Sequence, residues 1–253
     1  MKLIVTPDTL QATARAAAII AETLRAEPAS VLGLATGRTM EGVYGHLVRA
    51  VQSRETSFSE MTSFNLDEYV GLSASDPHSY RHYMQEHLFD HVRPDPARVH
   101  VPCGAAADLD AECAAYEKAI ADAGGIALQL LGIGNTGHIG FNEPPSLFNT
   151  RTRVVELDDE TREQNASMFG GDADAVPSRA ITMGVGTILD AGRLLLLATG
   201  RVKARIIADA LEGPVSPQVS ASAIRLHHDV TVILDEDAAS NLSPETRARA
   251  VIG

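Results

Sequence analysis

The chain lacks what would make it a disulfide scaffold, a membrane span or a polyanion binder. Cys103 and Cys113 are its only cysteines in 253 residues, and no CxxC spacing occurs. Neither a disulfide framework nor a zinc site is therefore indicated, and two reduced thiols are expected. No stretch approaches the ~18 consecutive apolar residues that a membrane-spanning helix needs. The opening MKLIVTPDTL reaches Pro7 and Asp8 after three apolar residues, too short for the core of a signal peptide, so a cytoplasmic setting is expected. Positive charge is scarce: 21 Lys and Arg stand against 33 Asp and Glu, a net charge of -12. With no Lys/Arg run, no nucleic acid and no anionic membrane are expected as partners. An anionic substrate would need a few placed cations to hold it against the bulk field. Glycine and proline are not in excess, at 20 and 12, which excludes collagen-like and disordered classes. What remains is 45% hydrophobic and long enough to bury a sizeable core, and it reads as one domain over residues 1–253.

Short runs of Val, Ile and Leu alternate with longer amphipathic segments. Leu3–Val5, Val31–Leu34, Met61–Leu66, Ile126–Gly132, Arg193–Ala198 and Val230–Leu234 lack polar alternation and read as strands buried on both faces. A helix is expected from Thr6-Pro7-Asp8 toward Leu24, and others over Thr39–Arg54, Ser79–Val92, Leu109–Ala123, Ser178–Asp190 and Arg201–Leu211. Such alternation predicts an α/β fold with a mainly parallel sheet and helices on both faces. Residues 156–177 break the rhythm. They are acidic, contain Gly170-Gly171 and offer little to bury, so a mobile lid is expected there beside the plainer reading of a solvated helix and loop.

Open α/β sheets carry their chemistry beyond the carboxyl ends of the strands. Four loops qualify. Ala35-Thr36-Gly37-Arg38-Thr39 enters a helix directly, so backbone N–H groups, two hydroxyls and one guanidinium converge where an anion would be favoured. Asp67-Glu68 places two carboxylates at the end of a buried strand, where one can cap a helix and the other can abstract a proton beside a carbonyl. The run from Gly132 to Pro145 opens as GxGxxG, but Pro144-Pro145 forbid the long helix a dinucleotide site requires. A glycine-rich turn holding His138 and Glu143 is left, a pair able to form a proton relay. Thr199-Gly200-Arg201-Val202-Lys203 puts cations at a helix start, where they oppose the dipole unless an anion sits between them. His78, His82, His87 and His91 form two i,i+4 pairs, and with no further ligand pattern they read as a solvated helix face, with no metal expected.

Together these loops resemble the glucosamine-6-phosphate deaminase (isomerase) family. The resemblance is carried by LGLATGRTMEGVY, FNLDEYVGL followed by HSY, LLGIGNTGHIGFNEP, RTRVVEL, AITMGVGTILDAGRLLLLATGRVKA, LEGPVSP and SASAIRLHHDVTVILD, in family order along nearly the whole chain. It implies a three-layer α/β/α sandwich with a modified dinucleotide-binding topology and no cofactor. It also implies conversion of an amino-sugar phosphate to a ketose phosphate and ammonia, by a monomer or a homo-oligomer. Carried over by motif, Asp67 is the base that moves a proton between C2 and C1. His138 is the ring-opening acid–base group, supported by Glu143. Thr36, Gly37, Thr39 and Lys203 surround the sugar phosphate.

Three departures from the family pattern stand out. Thr136 replaces an Asp or Asn before the Gly-His pair, so His138 loses a carboxylate or amide orienter. Arg38 replaces a glycine in the anion loop, with Met40 where proline is common. Ser167 stands where the lid of many glucosamine-specific members carries Arg. Arg38 is expected to compensate for that Arg; the alternative is a galactosamine 6-phosphate or another 6-anionic hexose as substrate, and an inactive sugar-phosphate sensor is the alternative of another class. The regulatory site of allosteric members is poorly matched: Arg153 is kept, with Leu147, Val155 and Glu156 at its polar or basic positions.

Overall fold

A computed structural model describes residues 1–252. Its strands are β1 (Lys2–Thr6), β2 (Val31–Leu34), β3 (Thr62–Asn65), β4 (Asp67–Tyr69), β5 (Val99–His100), β6 (Leu128–Leu131), β7 (Arg153–Glu156), β8 (Arg179–Thr182), β9 (Leu194–Ala198), β10 (Val230–Asp235) and β11 (Val251–Ile252). Among the described residues they form an eight-stranded sheet in the order β11-β1-β10-β9-β6-β2-β3-β5 and a three-stranded sheet β4-β8-β7. Every pairing in the larger sheet is parallel. β2, β6 and β9 are buried at every residue, as strands covered on both faces must be.

The helices are α1 (Thr9–Ala26), α2 (Arg38–Gln52), α3 (Tyr80–Met84), α4 (Asp90–Val92), α5 (Leu109–Asp122), α6 (Asp159–Asn165), α7 (Val185–Leu189), α8 (Ala204–Glu212) and α9 (Pro244–Ala248). Together with the sheet they make the expected α/β/α sandwich. α1 is capped by the Asp8 carboxylate, which accepts from the Gln11 N–H at 2.8 Å, and it lays Ala12, Ala16, Ile20 and Leu24 into the core. A short 3-10 turn over Arg201–Lys203 runs into α8.

The smaller sheet departs from the expectations. The helix expected over Ser178–Asp190 is strand β8, then a turn, then the one-and-a-half-turn α7. Ala180, Ile181 and Thr182 are all buried between β4 and β7, so their apolar run records two-sided burial rather than a helical face. Asp67-Glu68-Tyr69, expected as a loop, is strand β4, antiparallel to β8. The expected helix over Ser79–Val92 is interrupted by a π-helical turn at Gln85–Phe89. Residues 156–177 do have something to bury: Leu157, Thr161, Ala166, Phe169 and Val176 face inward. Phe169 meets Tyr69 edge-on at 5.5 Å and stacks on His78 at 4.8 Å, so the segment is anchored by an aromatic the composition underrates.

Glu68 ties the small sheet to α3. Its carboxylate accepts the backbone N–H groups of Tyr69, Tyr80 and Arg81 at 2.8–2.9 Å, the last two at the free N-terminal end of α3. Glu68→Gln turns an amide N–H₂ toward donors that need an acceptor. Leaving one buried N–H unmatched costs about 1–3 kcal/mol, and the urea midpoint of this variant is expected to fall accordingly.

Candidate active site

The loops after β2, β3, β6 and β9 open into one cavity of about 570 Å³, as the carboxyl-edge rule requires. Its wall includes Thr36, Gly37, Arg38 and Thr39 from the β2 loop, Asp67 from β4, Asn135 and His138 from the glycine-rich turn, and Thr199 and Lys203 beyond β9. Gln164, Asn165, Ser167 and Met168 of the anchored segment cover it.

The two carboxylates of Asp67-Glu68 separate because successive side chains of a strand point to opposite sides. Glu68 takes the backbone N–H groups. Asp67 is buried and, among the described residues, has no hydrogen-bond or ion-pair partner. Burial, and secondarily the charge of Glu68, push its carboxyl up to about 8. Gly140, with φ of +56°, lies beside Asp67, and a Cβ there would meet the Thr182 hydroxyl at 2.9 Å, so a glycine lets the His138 loop turn against β8.

His138 is buried, and its ring lies against Gly134, where a Cβ would meet the imidazole at 2.1–2.5 Å. Nδ1 is 2.8 Å from the Thr136 hydroxyl. A hydroxyl thus stands where the sequence comparison leaves no carboxylate or amide, and it fixes the ring without adding charge. Burial, and then the neighbouring Lys203, hold the imidazole down to about 4, so it is neutral near pH 7. Lys203 Nζ donates to Asn135 Oδ1 at 2.7 Å, and no carboxylate pairs with it among the described residues. Burial lowers its ammonium to about 8.

Glu143 corrects the expected relay. It forms no hydrogen bond with His138 and is not part of the cavity wall; instead Oε2 accepts the Asp158 N–H at 2.8 Å. The free N–H groups at the start of α6 attract a carboxylate, and the loop turns Glu143 toward them. Burial raises its carboxyl above the usual range. Arg38 is exposed at the start of α2, and its Nη2 reaches the Ser167 hydroxyl at 3.5 Å across the cavity mouth. Thr39 and Thr199 bring their hydroxyls within 3.4 Å, joining the β2 and β9 loops.

Thr199, named in sequence only as part of a cation-bearing loop, and His87, expected on a solvated helix face, both line the cavity. Asn135, Tyr80 and Tyr83 line it too and were not singled out. Asn135 adjoins Thr136, and the two tyrosines are buried at helical spacing, as core residues are. Among the described residues no three His, Cys, Asp or Glu side chains gather to hold a metal ion.

The family model for glucosamine-6-phosphate isomerases/6-phosphogluconolactonase matches residues 8–233. The chain belongs to that family. Within it, a glucosamine-6-phosphate deaminase of Bacillus velezensis is 52% identical over 89% of this chain and 93% of its own. Glucosamine-6-phosphate deaminase 2 of Bacillus subtilis is 48% identical over 96% of this chain and 98% of its own. Among solved structures, a monomeric glucosamine-6-phosphate deaminase superposes with a TM-score of 0.93 at 46% identity, covering 95% of this chain and all of that one. A 6-phosphogluconolactonase from Trypanosoma cruzi, at 21% identity and a TM-score of 0.73, shares the fold.

The raised carboxyl of Asp67 carries a stability consequence. The folded chain binds that proton more tightly than the unfolded one, so stability declines as pH rises from about 4 to about 8. Asp67→Asn removes the penalty. Its melting temperature is expected to gain on the wild type across that window and hold a constant lead above it, about 2–4 °C for each kcal/mol relieved.

Proposed function

We propose that this chain converts glucosamine 6-phosphate and water to fructose 6-phosphate and ammonia. The observation that carries the reading is Asp67, a buried carboxylate without a partner among the described residues, facing a cavity that also holds Lys203, an ammonium with no carboxylate partner among them. A structural carboxylate in that position would have a partner. Family membership and the deaminase names of its close relatives supply the substrate class.

In this reading the phosphate lies against the start of α2, contacting Thr36, Gly37, Arg38 and Thr39, with Lys203 from the β9 loop. The helix dipole and free N–H groups favour the anion, and Arg38 supplies a guanidinium fork beside Ser167. A neutral His138 presents one donor and one acceptor. It takes the proton from the O1 hydroxyl and returns one to the ring oxygen, opening the sugar. Thr136 keeps the ring oriented. Asp67 then removes the C2 proton and delivers it to C1, while O1 gains a proton and the nitrogen gives one up, leaving a C1 alcohol and a C2 imine that water hydrolyses to the ketone and ammonia. Glu143 acts at one remove, by holding the start of α6 and so the segment over the cavity. No cofactor is required for this chemistry. Two free thiols fit a reducing, cytoplasmic setting, and no helix among the described residues is long and apolar enough to cross a membrane.

Ammonia release from a panel of hexosamine 6-phosphates tests the reading. Release from the glucosamine compound above the galactosamine one is expected; none from any member would overturn it. Asp67→Asn should lower kcat by ~10²–10⁴ while the sugar phosphate still binds. Since Asp67 must be ionised and Lys203 protonated, with both groups drawn to about 8, kcat/KM should follow a bell peaking near pH 8. Lys203→Arg should remove the alkaline limb and leave the acid one.

A further inference from the structure

The π-helical turn at Gln85–Phe89 sits between α3 and α4 and is uncommon in kind: such turns account for well under ~1% of residues and recur at functional sites. An extra residue in one turn re-aims the side chains it carries. Here Leu88 and Phe89 enter the core, and Glu86 and His87 line the cavity. The His87 ring packs on Tyr83 with centroids 4.4 Å apart. The Tyr83 hydroxyl in turn donates to the Gly37 carbonyl at 2.9 Å, and Gly37 is the residue that caps α2. One buried phenol therefore fixes the imidazole relative to the turn that carries Arg38 and Thr39.

His78 and His91, on the same stretch, are engaged, with Asp76 at 3.0 Å and the Glu86 carbonyl at 2.9 Å. The His87 ring nitrogens have no hydrogen-bond partner among the described residues. Sheet order gives the direction. β2 lies between β6-β9 on one side and β3 on the other; Lys203 follows β9, and His87 belongs to the stretch that links β3 and β4 to β5. Glu41 and Glu86 line the same cavity, and an anion is tolerated near their carboxylates only against donors. From α2 and the π-helical turn, Arg38 and His87 are the cavity side chains with N–H groups to give.

We propose that His87 is a further substrate-binding residue, donating a ring N–H to the phosphate of the bound sugar from the side opposite Lys203. The proposal rests on the sugar-phosphate reading of the cavity. It gives the π-helical turn a purpose: a regular helix would place His87 differently relative to Tyr83.

His87→Phe keeps an aromatic ring on Tyr83 and removes the donor. It should raise KM for glucosamine 6-phosphate about 5- to 20-fold, as loss of a charge-assisted hydrogen bond does, with kcat within about twofold. The dissociation constant of inorganic phosphate, measured by calorimetry without turnover, should rise to a similar extent. His87→Gln retains an N–H and should stay within about threefold of wild type in both. Should the Phe variant not fold, His87→Ala against His87→Gln makes the same comparison. Unchanged KM and phosphate affinity on removing the donor would overturn the proposal, as would a fall in kcat alone. Failure of the parent reading looks different: the wild type would then release no ammonia from any hexosamine 6-phosphate.

Discussion

An unpaired carboxylate held inside the protein is the constraint on which the rest of the site depends. Asp67 opens β4 and faces the cavity, while Glu68, pointing the other way, accepts the backbone N–H groups of Tyr69, Tyr80 and Arg81. The antiparallel pairing of β4 with β8 fixes that division, since a slip of one residue would exchange the two carboxylates. The short second sheet, which adds little core of its own, thereby decides which acid faces the cavity.

The three ionisable groups at the centre share a physical state. Burial moves Asp67 up and His138 and Lys203 down, so each is drawn toward its neutral form in the free protein. In the proposed binding mode an amino-sugar phosphate would reverse two of these displacements at once: its phosphate would favour the charged ammonium of Lys203, and its amine, when protonated, the carboxylate of Asp67. Substrate binding and charging of the site are then one event, in a protein whose net charge of -12 gives no general attraction to anions. The neutral hydroxyl of Thr136 is consistent with this arrangement, because a carboxylate there would stabilise an imidazolium at His138 instead.

The parallel core was legible because β2, β6, β9 and β10 are mostly apolar runs without regular polar alternation, separated by longer amphipathic segments. The family resemblance then supplied Asp67, His138 and Lys203, which the structure brings around one cavity. Illegible parts had definite causes. Arg179–Thr182 is too short for period to separate strand from helix, and its partners β4 and β7 are equally brief. Glu143 and His138 are close in sequence, yet the chain turns between them and leaves the carboxylate at α6. The acidic composition of residues 156–177 hid Phe169, whose single ring anchors the segment. Backbone periodicity gave no sign of the π-helical turn, because an apolar pattern continues through Tyr83, Leu88 and Val92.

The ionisation of Asp67 is the property on which the proposed chemistry turns. Carbon-13 NMR titration of the carboxyl signals, with the resonance assigned by its loss in Asp67→Asn, measures it in the free protein. A midpoint near 8 is predicted, moving down when a hexosamine 6-phosphate binds. A midpoint near the ordinary ~4 of an aspartate, unmoved by ligand, would contradict the claim that burial without a partner sets this group up as the base.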